Sequence, residues 1–202
     1  MKTSLDVLVV PLEILCCWNA FFAASIMFDK ISSKLHGGRP DVYERIIELA
    51  VEIAREGREG RRIGTMFIVG DAERVLSLSR PLILDPIALH PAHMRSIWNE
   101  NLRGTLKELA QLDGAFVFDD GGTLLAGCRY LDAKASAIEL PMGLGSRHLA
   151  AASISTVTRA IGIVVSESAI VRIFQDGILI GDIIPELWLL SREHVFAKGE
   201  IP

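Results

Sequence analysis

An α/β domain with a mixed central β-sheet, flanked by helices on both faces, is the fold class this sequence predicts. Three observations predict it. The apolar runs Gly64 to Gly70 and Ile161 to Val165 lack the alternation of a strand with one wet face, so they read as strands covered on both sides. Asp119-Asp120-Gly121-Gly122 and Gln175-Asp176-Gly177 are hairpin turns, which demand antiparallel neighbours. Segments of helical period lie between these runs and supply crossovers.

Taken in order, the chain opens on an apolar, aromatic stretch from Leu5 to Phe28, interrupted by Asp6, Glu13 and Asn19. A membrane span of about twenty residues rarely carries two carboxylates, and a secretory signal would begin with basic residues and end in a small-residue cleavage site. A buried strand at Val7 to Val10, then a helix from about Pro11, suits it better. No membrane association is expected. Ser32-Ser33 and Gly37-Gly38 mark a linker, so residues 1–38 read as an extension and residues 39–202 as the main domain. Asp41 is placed to cap a helix in which Val42, Ile46, Leu49, Ala50 and Ile53 recur at helical spacing and which ends near Gly57. Pro81, Pro86 and Pro91 make the stretch from Ser79 to Pro91 irregular, with at most a short strand. Trp98, Leu102, Leu106 and Leu109 mark a further helix.

A strand follows over Leu112 to Phe118, entered through Asp113-Gly114. Its hairpin partner runs from Thr123 to Ala126 and leads into Gly127-Cys128-Arg129-Tyr130-Leu131. Beyond a Gly-rich turn, Pro141 to Gly145, Ser146 is placed to cap a small-residue helix reaching about Ala160. The strand Ile161 to Val165 then ends in Ser166-Glu167, and Ile170 to Phe174 pairs with Ile178 to Ile180. No repeat appears at a period of roughly 20 to 50 residues, so the chain is no solenoid.

The totals narrow the function classes. At 202 residues one domain can bury a sufficient core, roughly 70% of its unfolded surface, without staples. A net charge of −4 argues against a nucleic-acid partner held by a broad basic surface. The three cysteines, Cys16 beside Cys17 and Cys128 alone, form no disulfide framework and no zinc spacing, and a reducing, cytoplasmic setting is expected.

Chemistry concentrates in four segments. Asp113 enters a strand ahead of a residue with no side chain, where a carboxylate can bind a divalent cation or take a hydroxyl proton. An Asp-Gly pair alone is also an ordinary turn. Arg147 and His148 sit in the first turn of a helix, against the dipole, which argues that a bound anion, phosphate above all, compensates them. Ser166 and Glu167 end an apolar strand, where α/β sheets place ligand groups. Gly127 to Leu131 offers backbone groups and apolar surface to a flat base.

Jointly these segments resemble the diadenylate cyclase (DAC) domain family, whose members condense two ATP into cyclic di-AMP. The resemblance rests on Asp113-Gly114-Ala115, Ala126-Gly127-Cys128 with Tyr130-Leu131, Gly145-Ser146-Arg147-His148 with Ala150-Ala151, and Val164-Val165-Ser166-Glu167, and it spans roughly Asp41 to Ile184. It implies that Asp113 binds the metal and activates a ribose 3′-hydroxyl, that Gly114 lines the ribose and phosphates, and that Ala115 is a substrate-binding residue. It implies an adenine site at Gly127, Cys128, Tyr130 and Leu131. Ser146, Arg147 and His148 would clamp the triphosphate, with Gly145 a further substrate-binding residue, Ser166 on the terminal phosphates and Glu167 near the metal. It further implies Mn²⁺ or Mg²⁺, ATP as substrate, and a face-to-face dimer. Ser146 stands where Thr is common, and Leu149 and Ser168 where many members carry a basic and an acidic residue. A regulator that holds ATP or cyclic di-AMP without turnover, or a nucleotidyltransferase with another acceptor, are the alternatives.

Overall fold

The computed structural model describes residues 31, 33–133, 138 and 140–188. The expected strand and helix before residue 31 lie outside them. The first described helix, α1 (Pro40–Glu56), begins one residue ahead of the expected Asp41 cap. Arg39 holds the N-cap position in extended backbone, proline fills the first helical position, and Asp41 falls in the first turn, where it meets the positive end of the dipole and pairs with Arg39. Gly57 closes the helix with positive φ, its N–H donating to the Ile53 carbonyl.

Seven strands form one sheet: β1 (Thr65–Val69), β2 (Ser79–Pro81), β3 (Ala115–Phe118), β4 (Leu124–Leu131), β5 (Ile161–Val165), β6 (Val171–Gln175) and β7 (Ile178–Ile183). Their spatial order is β2-β4-β3-β1-β5-β6-β7. Among them only β1 and β3 run parallel; the other neighbours are antiparallel. Three more α-helices follow, α2 (Ala72–Ser77), α3 (Glu100–Leu109) and α4 (Ser146–Val157), with a 3₁₀ turn at Ala92–Arg95, and residues 185–188 are also helical. The sequence signals did not foresee α2, which is too short to show a helical period.

Alternation along the strands divides the core in two. Phe67, Val69, Phe116, Phe118, Ile161, Ile163 and Val165 turn to the face covered by α1 and α3. Met66, Ile68, Ala115, Val117 and Val164 turn to the face covered by α4 and α2. Every residue of β1 and β5 is therefore buried, as their unbroken apolar runs required. The β3–β4 hairpin forms at the Asp119 turn, where the Asp119 carboxylate accepts from Gly121 and Thr123 N–H, and its register slips at a bulge between Ala115 and Val117. The Asp-Gly entry lies before β3 and is not part of it.

The mixed topology decides where ligand groups gather. Because β4 and β5 run against β3 and β1, their C-terminal ends lie at the starts of β3 and β1: Arg129, near the end of β4, pairs with Ala115, and Val165 with Thr65. Asp113, the end of β4, Ser166-Glu167 and the start of α4 thus share one rim of the sheet.

Candidate functional site

Arg147 is the hub of that rim. Its Nη2 lies 3.0 Å from Asp113 Oδ1 and its Nη1 3.3 Å from Glu167 Oε1. Both carboxylates are largely exposed, whereas the guanidinium is one-third exposed. Gly64, just ahead of β1, gives it room, since a Cβ there would stand 2.8 Å from Arg147 Nη1. Nothing in the local sequence announces that role for Gly64.

A cleft of about 500 Å³ opens beside this ion-pair cluster. Asp113, Gly114, Ser146 and Arg147 form its polar end, and Leu82, Tyr130, Leu131 and Leu149 give it an apolar wall. Its size falls in the range of sites for one small ligand, roughly 300–1,000 Å³. Tyr130 is held by Arg80, whose guanidinium lies 4.4 Å from the ring centroid. A second hollow of about 330 Å³ adjoins the cleft across Ser146 and Arg147, and is lined by Gly143, Gly145, His148, Ser166, Glu167, Ser168 and Arg172.

The start of α4 differs from expectation by one residue. Gly145 occupies the N-cap in extended backbone, Ser146 is the first helical residue, and no side chain caps the end. Ser146 thus falls one residue inside the helix, where its hydroxyl is not in the N-cap position. His148 and Leu149 N–H donate to the Gly145 carbonyl, while Ser146 and Arg147, the first two helical residues, line the cleft with no side-chain cap among the described residues.

His148 is buried, its ring edge-on to Phe174. Its Nε2 lies 3.3 Å from Arg172 Nη1, while Nδ1 has no hydrogen-bond partner among the described residues. Burial first, then the Arg172 charge, push its pKa below the ordinary histidine value, so the ring is neutral near pH 7.

Ser166 is tied into the turn after β5. Its Oγ donates to the Ile170 carbonyl at 3.0 Å, accepts from Ile170 N–H at 3.2 Å and stands 2.7 Å from Ser168 Oγ. The side chain borders the second hollow, but its hydroxyl already has protein partners.

Three sequence-derived candidates lie behind the cleft and do not line it. Ala115 and Cys128 are fully buried, and Gly127 packs under the Phe116 ring. Gly127 N–H donates to Asp85 at 3.0 Å, and the Cys128 carbonyl accepts from Leu82 N–H at 2.9 Å, so both backbone groups are engaged by the Pro-rich loop. Burial, then the charges of Asp85 and Asp113, raise the Cys128 thiol pKa. Gly114 has φ +104°, and a Cβ on it would come within 2.5 Å of the Cys128 carbonyl carbon. The close approach that requires glycine here is thus one of protein backbone. Arg172 was missed by sequence reasoning, although a single charged residue within an apolar strand is a readable signal.

The model of the DAC family, described as DisA bacterial checkpoint controller nucleotide-binding, matches residues 52–179, more than half of the chain. The chain belongs to this family. Two curated relatives agree with that placement. A protein named diadenylate cyclase from Methanocaldococcus jannaschii is 49% identical over 148 residues, which cover 73% of this chain and 47% of that protein. Another of the same name, from Haloferax volcanii, is 39% identical over 150 residues, covering 74% of this chain and 55% of that protein. The chain spans about half the length of the curated relatives it matches. Among solved structures, DacA from Staphylococcus aureus, a double mutant, aligns with a TM-score of 0.50 at 23% identity, over 77% of this chain and 96% of that one. A hypothetical membrane spanning protein from Bacillus cereus aligns with a TM-score of 0.50 at 19% identity, over 83% of this chain and 74% of that one. At such identities these two show the DAC-domain fold, a mixed sheet between helices. No helix among the described residues is long and apolar enough to cross a membrane.

Proposed function

We propose that this DAC domain is a diadenylate cyclase that condenses two ATP into cyclic di-AMP and releases two pyrophosphates. The observation that carries the reading is the cleft in which Asp113 and Arg147 stand 3.0 Å apart beside the open end of α4. A carboxylate able to take a proton and a cationic, dipole-positive surface able to hold phosphate are the two halves of this chemistry.

In each half-reaction the 3′-oxygen of one ATP forms a bond to the α-phosphorus of the other. The α–β anhydride bond breaks, and its electron pair leaves with pyrophosphate. Asp113 takes the hydroxyl proton and passes it to solvent, which its exposure permits. Arg147 and the first N–H groups of α4 meet the charge growing on the phosphoryl oxygens. Tyr130, Leu131 and Leu149 give the base an apolar wall. The cleft has room for one nucleotide, so two protomers related by a twofold axis must oppose their clefts to join two ATP into a symmetric product.

The donor set fits a divalent cation that the substrate completes. Asp113 and Glu167 are close enough to share one guanidinium, and no group of three or more His, Cys, Asp or Glu gathers among the described residues. Two carboxylates plus phosphate oxygens and water suit Mg²⁺ or Mn²⁺, which would supply Lewis-acid stabilisation at the phosphates.

The test is incubation with ATP and Mn²⁺ or Mg²⁺, with mass spectrometry for cyclic di-AMP and mass photometry over a concentration series. Product formed by a dimeric species is expected. ATP binding without product across metals and pH, from a folded dimer, would overturn the proposal in favour of a binding regulator. Pyrophosphate release that appears only when another acceptor is added would overturn it in favour of a different nucleotidyltransferase.

A further inference from the structure

Arg172 sits in β6, in the register position opposite Val164 of β5 on one side and Asp182 of β7 on the other. Its side chain is only 14% exposed, yet it borders the second hollow. Its Nε is 3.2 Å from Asp182 Oδ1, and its Nη1 faces the buried His148 ring. Three features of the hollow point to an anion. Arg147 and Arg172 outnumber the one carboxylate among its lining residues, Glu167. His148, buried and neutral, carries a ring nitrogen without a hydrogen-bond partner, a polar atom left over by the protein's own contacts. The Gly143 to Gly145 turn brings main chain and no side-chain bulk to its edge, and a Cβ on either glycine would meet open space.

Resting on the reading of the cleft as a nucleotide site, we propose that Arg172 is a second phosphate-binding cation, which holds the β- and γ-phosphates of ATP, and then the departing pyrophosphate, in the hollow beside the cleft. The two guanidiniums divide the work. Arg147, shared between cleft and hollow, serves the reacting end of the triphosphate. Arg172, on the far side of His148, serves the tail. Its geometry suits that role. Asp182 fixes Nε and keeps the fork oriented, while Nη1 is spent only on a neutral ring nitrogen, a weak partner that a phosphate oxygen readily replaces. About 330 Å³ gives space for a diphosphate with water.

Calorimetric titration with inorganic pyrophosphate, a non-hydrolysable ATP analogue and AMP, each with Mg²⁺, tests this on the intact chain. Arg172→Ala and Arg172→Gln are compared with wild type; glutamine keeps a donor for His148 while removing the charge, and decides the matter if the alanine variant does not fold. Both should weaken pyrophosphate and the ATP analogue about tenfold to a hundredfold, the scale of a hydrogen bond to a charged group, and leave AMP unchanged. Equal loss for AMP and the ATP analogue would mean that Arg172 merely supports the rim, and unchanged pyrophosphate affinity would mean that it touches no phosphate; either result overturns the inference. Wild-type protein that binds pyrophosphate through Arg172 yet makes no cyclic di-AMP would remove the proposed activity and leave this assignment standing.

Discussion

Gly114→Ala separates two explanations for a glycine beside the candidate base. If glycine is there to admit a nucleotide, alanine should weaken ATP binding and spare the fold. The structure argues otherwise. Gly114 adopts φ +104°, and an added Cβ would meet the Cys128 carbonyl carbon at 2.5 Å, the Arg129 nitrogen at 2.8 Å and the Cys128 Cα at 2.8 Å. All three are backbone atoms of β4, so no side-chain rotation relieves the contact. A sparsely populated backbone conformation costs about 1–3 kcal/mol, and overpacking about as much again, giving roughly 2–6 kcal/mol together. For a domain of this size that corresponds to a fall in melting temperature of about 5 to 20 °C. Gly143→Ala is the control: its φ is +91°, but a Cβ there meets nothing within 4 Å, so only the conformational part remains. Differential scanning calorimetry of the two variants beside wild type reads the difference. A Gly114→Ala protein that melts within about 1 °C of wild type, or no lower than Gly143→Ala, would refute the reasoning.

Asp113→Asn should lower turnover about a hundredfold or more, as expected for loss of a positioned base or metal ligand. Its melting temperature should barely move, because the exposed pair with Arg147 contributes little stability; unchanged turnover would remove Asp113 from the mechanism. Chelation with EDTA should abolish product formation and Mn²⁺ or Mg²⁺ restore it, and Glu167→Gln should raise the metal concentration needed for half-maximal rate; a rate indifferent to EDTA would exclude a metal role for both carboxylates. His148 makes stability pH-dependent with a definite sign. Its folded pKa lies below the ordinary 6.5, so as pH falls through 6.5 the unfolded chain gains a proton that the folded chain refuses, and stability drops until the folded pKa is passed. The loss of melting temperature between about pH 7 and pH 5 should therefore be smaller in His148→Gln than in wild type, and equal losses would show that another group governs the window.

Much of the fold was legible because its signals are local. The run Ile161 to Val165 matches β5 residue for residue, and Gly64 and Gly70 bracket β1 closely. Both hairpin turns lie between the strand pairs they announced. Helix starts were less legible, since Arg39 and Gly145 take cap positions that carry no hydroxyl or carboxylate, one residue or more ahead of Asp41 and Ser146. Within the site, the residues that meet at Arg147 come from the quoted motifs. The sequence could not say which motif residues face the ligand and which support it from behind. A fully buried Ala115 and an exposed Asp113 sit two positions apart, with Gly114 at φ +104° between them where the chain enters β3. Gly64 was out of reach for a related reason: its part depends on the Arg147 side chain arriving from α4, far along the chain, whereas Arg172 was missed although its charge stands alone in an apolar strand.

The double pairing of Arg147 bears on the order in which the proposed site fills. One guanidinium pairs with both carboxylates that a divalent cation would use, one positive charge against two negative, so the cluster keeps about one net negative charge. Each of these pairs is exposed on its acidic side, and such contacts are worth at most about 1 kcal/mol, so neither is an obstacle to exchange. A triphosphate offers Arg147 a stronger, bidentate partner, and once the guanidinium turns to it, Asp113 and Glu167 are released together. Two adjacent carboxylates and a phosphate chain then form a strongly negative pocket, which a cation relieves. Nucleotide and cation should thus bind with positive coupling, each raising the affinity for the other by the same factor. In the proposed mechanism the same exchange would leave Asp113 free of Arg147 when a 3′-hydroxyl is presented to it.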